Sequence, residues 1–300
     1  MGVSDARHRL YIAGGPGGSS IAPPAHEFIA RSLGKDWTMD FLQLNSPTEV
    51  IEIYRRPDFR GGVVTMPHKR SIIPMIDEVD NYVRALSACN LIYPDLKGRL
   101  CGTNTDWIGI SESILVHEQE HLPGRIALVY GAGGAARAAI YALLQILKCS
   151  QVYVINRDSK EVEDQVADVS KYNRTASLNV LHIQTVNRAS TLSSPHFIVS
   201  TVPDQDAITE AEAEARKILV EFLSRESKGL LVDMCYHPLR TRNVQLAEEN
   251  GWRTVNGIEV IGYQLKTQWS FFGSPEIPDR AAEFLQALAK DYDSRNVHDH

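Results

Sequence analysis

The chain has 300 residues, 43% apolar and 23% charged, with a formal net charge of −6. That length suits two domains or one large one, and the composition is that of an ordinary globular protein. The acidic balance argues against nucleic acid or a membrane surface as partner, since both need clustered Lys and Arg. No apolar run reaches the ~18 residues of a spanning helix. Residues 1–9 hold no apolar signal core, so a cytoplasmic enzyme is expected. Cys89, Cys101, Cys149 and Cys235 have no Cys-x-x-Cys spacing and lie in or beside apolar runs. That pattern predicts reduced thiols rather than disulfides or a metal site.

In chain order, residues 10–13 read as a strand ending in the loop Gly14-Gly-Pro-Gly-Gly18. Pro23-Pro24 starts a helix through Leu33, because proline is tolerated in a first turn. A strand over 37–42, a helix over 47–55 and a strand over 62–65 follow. Apolar spacing near 3.6 predicts a helix across 72–86. Residues 88–93 and 100–103 flank Pro94-Asp95-Leu96-Lys97-Gly98 and read as a hairpin. A helix over 107–116 leads to a polar linker at 117–125. The strand 126–130, the helix 135–147 and the strand 151–155 form a βαβ unit. Runs at 180–183, 196–200 and 229–233 read as further parallel strands, with an acidic helix at 210–227. A helix ends at Gly251, helices at 257–272 and 279–291 follow, and the polar tail 294–300 is expected to fray. Such alternation predicts an α/β fold.

Gly131-x-Gly133-x-x-Ala136 sits between a buried strand and a helix, as a dinucleotide fingerprint does. Glycines let the backbone approach a pyrophosphate, and the helix N-terminus offers free N–H groups and partial positive charge. Gly131, Gly133, Gly134 and Ala135 are the candidate phosphate contacts. Asn156-Arg157-Asp158 ends the next strand. An acidic residue there holds the ribose of NAD, whereas an arginine accommodates the extra phosphate of NADP. Arg157 and Asp158 pull in opposite directions, and Lys160 tips the balance slightly toward NADP. Ahead of the loop stand Val64-Thr65-Met66-Pro67-His68-Lys69 and Thr103-Asn104-Thr105-Asp106. A lysine and an aspartate in one cleft can move a proton while a nicotinamide takes a hydride. Taken alone, Lys69 reads as a solvated lysine beside Arg70, and Asp106 as a helix N-cap.

Together these motifs resemble the shikimate and quinate dehydrogenase family. Residues 64–69 resemble its V-T-x-P-x-K and 102–106 its G-x-N-T-D. Asn90 matches the Asn of its A-V-N segment, and 131–137 its G-A-G-G-A-x-R loop. Asn156-Arg157 matches N-R, Asp233-x-x-Tyr236-x-Pro238-x-x-Thr241 matches D-x-x-Y-x-P-x-x-T, and Gln264 matches a glutamine near the chain end. The resemblance implies an N-terminal α/β substrate domain (1–108 with 259–300, the last helices returning to it) and a Rossmann-type NAD(P) domain (109–258), with the site in the cleft between. It implies reversible, nicotinamide-dependent oxidation of a ring hydroxyl on a hydroxylated ring carboxylate. The expected partner is that small molecule, with no nucleic acid or membrane, and the expected state a monomer or homodimer.

In that frame Lys69 is the proton-handling residue if burial lowers its pKa, and Asp106 orients it and binds a neighbouring hydroxyl. Asn90 and Gln264 bind hydroxyls, since amides donate and accept. Ser20, Thr65 and Tyr236 are substrate candidates, and Thr201 lines the cofactor side. His68 is expected to pack or cap; Trp269, Phe271 and Phe272 belong to the core. The match fails at Ser20-Ile21-Ala22-Pro23, where the family's S-x-S-P offers a second hydroxyl to the substrate carboxylate. Losing one hydrogen bond to a charged group costs roughly 1.5–3 kcal/mol, so the reaction is better specified than the substrate. Leu91, and Val199-Ser-Thr-Val-Pro203 in place of N-A-T-S, depart too. The alternative is a non-catalytic ligand sensor related to quinate-pathway repressors, but it has no need to keep both Lys69 and Asp106. A glutamyl-tRNA-reductase-like relative, sharing only the second half, is disfavoured by the N-terminal motifs.

Overall fold

The computed structural model describes residues 8–118 and 123–296. The start read for a signal core (1–7), the middle of the linker (119–122) and the end of the tail (297–300) lie outside the described residues. The chain divides into two compact units, Met1–Thr105 with Ile261–His300, and Asp106–Val260. The expected start of the second unit, residue 109, falls inside a helix that begins at Asp106.

The first unit runs β1 (His8–Gly14), α1 (Ala22–Ser32), β2 (Trp37–Gln43), α2 (Pro47–Tyr54), β3 (Phe59–Val64), α3 (His68–Ser71), β4 (Glu78–Val79), α4 (Asn81–Leu86), β5 (Leu91–Pro94) and β6 (Leu100–Thr103). Its sheet order is β2-β1-β3-β5-β6-β4. The first three strands are parallel, β5 and β6 add antiparallel, and β4 closes the edge parallel to β6. Tyr11, Tyr54 and Phe59 stack in its core. The single helix expected over 72–86 is not formed. A 3-10 turn at Ile73–Met75 carries Pro74. The edge strand then takes Glu78–Val79, and Asp80 caps α4 by accepting the Val83 N–H at 2.9 Å. Asp77 accepts the Leu100 N–H at 2.8 Å and pairs with Arg55. Edge pairing and a cap therefore outweighed a helical period interrupted by proline.

The second unit runs α5 (Asp106–His117), β7 (Ile126–Tyr130), α6 (Gly134–Tyr141), β8 (Gln151–Ile155), α7 (Ser159–Val169), α8 (Ala176–Asn179), β9 (Val180–His182), α9 (Val186–Ser190), β10 (Phe197–Ser200), α10 (Glu210–Leu223), β11 (Leu230–Asp233), α11 (Arg242–Glu249) and β12 (Arg253–Val255). All strands are parallel, in the order β12-β11-β10-β7-β8-β9. That is the doubly wound Rossmann order, with its switch point between β7 and β10. The central strands are buried along nearly their whole length, which is why they read as unbroken apolar runs. The helix expected over 135–147 relaxes into a π turn at Ala142–Ile146. Two helices follow: α12 (Gly257–Phe271), which carries the chain from the second unit into the first, and α13 (Ala281–Asn296).

Candidate active site

In the first unit, main-chain bonds draw distant motifs together. The Thr65 N–H donates to Ala13 O at 2.9 Å and the Val64 N–H to Asn90 O at 2.8 Å. The Cys89 N–H donates to Lys69 O at 2.7 Å, and the Asn90 N–H to Thr103 O at 3.1 Å. Thr65, Asn90 and Thr105 thus lie at the ends of neighbouring strands, with the Lys69 main chain beside them. Their side chains continue the pattern. Asn90 Oδ1 accepts the Thr105 N–H at 2.7 Å. Gln264 Oε1 accepts from Asn90 Nδ2 at 3.1 Å and from Thr105 Oγ1 at 2.7 Å. All three are essentially inaccessible to solvent. A buried amide left unpaired costs far more than the net gain of making its bond, so this net fixes each side chain's orientation. Lys69 is half-buried on α3. Burial pushes the neighbouring Cys89 thiol up to about 12 and keeps it protonated.

His68 packs as expected, with Nε2 2.9 Å from Leu44 O. Ser20 Oγ accepts the Ala22 N–H at 3.2 Å at the start of α1, and Ala22 is buried. The Gly15 N–H donates to Met66 O at 3.0 Å, so the glycine-rich loop lies against the Thr65–Lys69 segment. Trp269 and Phe272 are core residues, and Trp269 Nε1 donates to His26 Nδ1 at 3.1 Å.

In the second unit, Asp106 is buried in the first turn of α5. Tyr236 is half-buried, its ring 4.4 Å from that of His237. The D-x-x-Y-x-P-x-x-T motif is held together by its ends. Asp233 accepts from Thr241 Oγ1 at 2.5 Å and from the Cys235 N–H at 3.0 Å, while Thr241 caps α11. Burial raises the Asp233 carboxyl to about 6 against those hydrogen bonds.

The glycine loop lies at the switch point of the sheet. Gly131 has φ +117°, and a Cβ there would sit 2.4 Å from Thr201 Oγ1. Thr201 in turn bonds Tyr130 O through both its N–H and its hydroxyl, each at 2.9 Å. Gly133 caps α6 and faces open space, with nothing within 4 Å of an added Cβ. The first N–H groups of α6, from Gly134 and Ala135, follow it. An exposed glycine, a helix N-terminus and a backbone that tolerates close approach fit a dinucleotide pyrophosphate. Arg137 is buried beneath and braces the loop. Its Nε donates to Asp168 Oδ2 at 2.7 Å, and its guanidinium reaches the carbonyls of Ala132 and Gly133.

At the end of β8, Asn156 Nδ2 donates to Asp158 O at 3.0 Å and Glu161 Oε2 at 2.8 Å. Asp158 caps α7 by accepting the Lys160 N–H at 2.8 Å and the Glu161 N–H at 3.4 Å. Arg157 forms an ion pair with Glu212. Lys160 faces Asp164 and Glu163 along its own helix.

Sequence reasoning missed two residues. Glu212 was signalled only as the last member of the capping box Thr209-x-x-Glu212. Gln268 lies one helical turn beyond Gln264, with Nε2 3.5 Å from Thr105 Oγ1. Its Oε1 is buried with no partner among the described residues. The i,i+4 spacing of two glutamines on one helix was its available signal.

A family model described as the shikimate dehydrogenase substrate binding domain matches residues 12–92. The chain is 35% identical over 276 residues to the quinate dehydrogenase of Emericella nidulans, covering 85% of this chain and 84% of that one. Its fold is similar to a shikimate dehydrogenase solved with NADP+, with TM-score 0.77, 22% identity and 97% of each chain covered. It is also similar to the quinate dehydrogenase of Corynebacterium glutamicum solved with NAD, with TM-score 0.74, 19% identity, and 96% and 99% covered. With its motifs in matching order and a relative this similar along most of both lengths, the chain belongs to the shikimate and quinate dehydrogenase family.

Proposed function

We propose that the protein is an NAD(P)-dependent dehydrogenase that reversibly oxidises a ring hydroxyl of a quinate- or shikimate-like hydroxylated ring carboxylate. The observation that carries this reading is the buried Asn90–Thr105–Gln264 net beside the Lys69 main chain. Fixed amides and hydroxyls are what a polyhydroxylated ring requires, because each of its hydroxyls both donates and accepts. The membership of the chain in a family with quinate and shikimate dehydrogenases supports the same reading.

A bound nicotinamide would supply the acceptor for the hydride of the carbinol carbon. Lys69 Nζ takes up the hydroxyl proton as that hydride leaves, and returns it in the reverse direction. Asp106 accepts a hydrogen bond from an adjacent hydroxyl and orients the ring. Asn90 and Gln264 hold further hydroxyls, and Thr65, Ser20 and Tyr236 line the ring and its carboxylate. Gly131, Gly133, Gly134 and Ala135 receive the pyrophosphate, while Asn156, Arg157, Asp158 and Thr201 border the nucleotide. With Ala22 in place of a second hydroxyl, the carboxylate is held differently from the family pattern. The similarity to a quinate dehydrogenase favours a quinate-like ring.

The test follows dinucleotide reduction with NAD and with NADP against quinate, shikimate and related ring acids. Turnover is expected with at least one acid. Lys69→Ala is expected to lose about 10²–10⁴ in kcat with dinucleotide affinity unchanged. Binding of the acids without turnover of any would overturn the reading in favour of a sensor.

A further inference from the structure

Arg157 stands where a cation can receive the 2′-phosphate of NADP, two residues past the carbonyl end of β8. In this chain that cation already has an anion. Its guanidinium is paired with Glu212, from the first turn of α10. Glu212 is not a loose surface carboxylate. Its Oε2 accepts the Ile208 N–H at 2.8 Å and the Thr209 N–H at 2.9 Å, while Thr209 Oγ1 accepts the Glu212 N–H at 3.2 Å. The capping box therefore fixes the carboxylate at the helix N-terminus, where the helix dipole also favours negative charge. The backbone N–H groups of Thr209 and Ile208, together with Arg157, hold its pKa down to about 2, so it is ionised throughout the working range.

We infer that Glu212 sets dinucleotide choice: as the built-in counter-ion of Arg157, it makes the site favour NAD over NADP. This inference rests on the nicotinamide-dependent reading above and deepens it. A 2′-phosphate must displace or share a carboxylate that its cap prevents from moving away, and must approach it at close range as a like charge. The surrounding charges add to this barrier. Asp158 and Glu161 lie at the same strand end, and Lys160 is turned toward Asp164 at 3.2 Å and Glu163 at 3.7 Å. NAD presents only neutral ribose hydroxyls here, which meet no such penalty. Arg157 remains more than half exposed, so its flat face stays accessible to an adenine ring even while its edge is paired.

Glu212→Gln is the discriminating variant, because glutamine at this position keeps the capping box and removes the charge. Binding of NAD, of NADP and of adenosine 2′-monophosphate to the full chain is measured by isothermal titration without ring acid. The wild type is expected to bind NAD more tightly than NADP. The variant should gain about tenfold or more in affinity for NADP and adenosine 2′-monophosphate, the size of one added charge-assisted hydrogen bond. NAD affinity and melting temperature should hardly change. Arg157→Ala alone should alter NADP binding little, and in combination it should abolish the gain made by Glu212→Gln. An unchanged NADP-to-NAD ratio in Glu212→Gln, or a gain that survives Arg157→Ala, overturns the inference while leaving the dehydrogenase reading intact. Binding of neither dinucleotide to the wild type would overturn both.

Discussion

Gln264 and Arg157 mark the contrast between the two units. Gln264 Oε1 accepts hydrogen bonds from Asn90, Thr105 and Gln268, all hidden from solvent. Arg157 meets Glu212 with more than half its side chain in water. The first unit thus fixes its candidate hydroxyl binders with neutral amides that have nowhere else to go. The second presents its candidate nucleotide groups on exposed strand ends, where a backbone turn and a few charges do the positioning. Rigidity comes from a buried amide net in one unit and from glycine geometry braced by Arg137 in the other. Substitutions should separate the two kinds.

The largest effect is expected at the glycine loop. Gly131→Ala forces a side chain into positive φ and within 2.4 Å of Thr201 Oγ1. The strain and overlap together should cost about 2–5 kcal/mol, read by denaturant unfolding, with dinucleotide binding lost. If this variant binds dinucleotide normally, the second unit does not depend on its loop as the contrast requires. Gln264→Ala should cost about 1–3 kcal/mol by leaving buried donors on Asn90 and Thr105 without an acceptor. It should raise KM for the ring acid and leave dinucleotide affinity alone. An equal change in both affinities would erase the distinction between the units.

The smallest net effect is in pH, because the units differ in sign. Burial holds His26, in the first unit, down to about 3 from 6.5. The unfolded chain therefore binds the extra proton, and His26 lowers stability as pH falls from about 6.5 toward 3. Burial raises Asp233, in the second unit, to about 6 from 3.8. There the folded chain binds the extra proton, and stability is lost as pH rises from about 3.8 through 6. Each group contributes a slope of up to about 1.4 kcal/mol per pH unit inside its window. Unfolding measured between pH 4 and 6 should lose more stability on acidification in Asp233→Asn than in the wild type, and less in His26→Gln. Parallel profiles for all three would refute the opposed signs.

Much of this was legible beforehand. The alternation of strands and helices appeared wherever apolar runs were bounded by glycine or proline, and 126–155 read as a βαβ unit because strands buried on both faces have no polar interruptions. The helix expected over 72–86 failed because a two-residue edge strand and the Asp80 cap compete with periodicity through contacts made outside the segment. Lys69, Asn90, Asp106 and Gln264 stood out by motif. The amide net that orders Asn90 and Gln264 did not, since it joins residues 174 positions apart.

The sequence by itself determined the α/β class, the glycine turn and the family, because these depend on local backbone preference and on motifs that survive as ordered strings of residues. Only the tertiary structure decided what each polar side chain faces. Arg137 became a brace beneath the loop, tied to Asp168 31 residues on, and Arg157 the partner of a carboxylate 55 residues away. The physical reason is that a charge or an amide takes its meaning from its nearest partner, and in a doubly wound sheet that partner comes from another crossover.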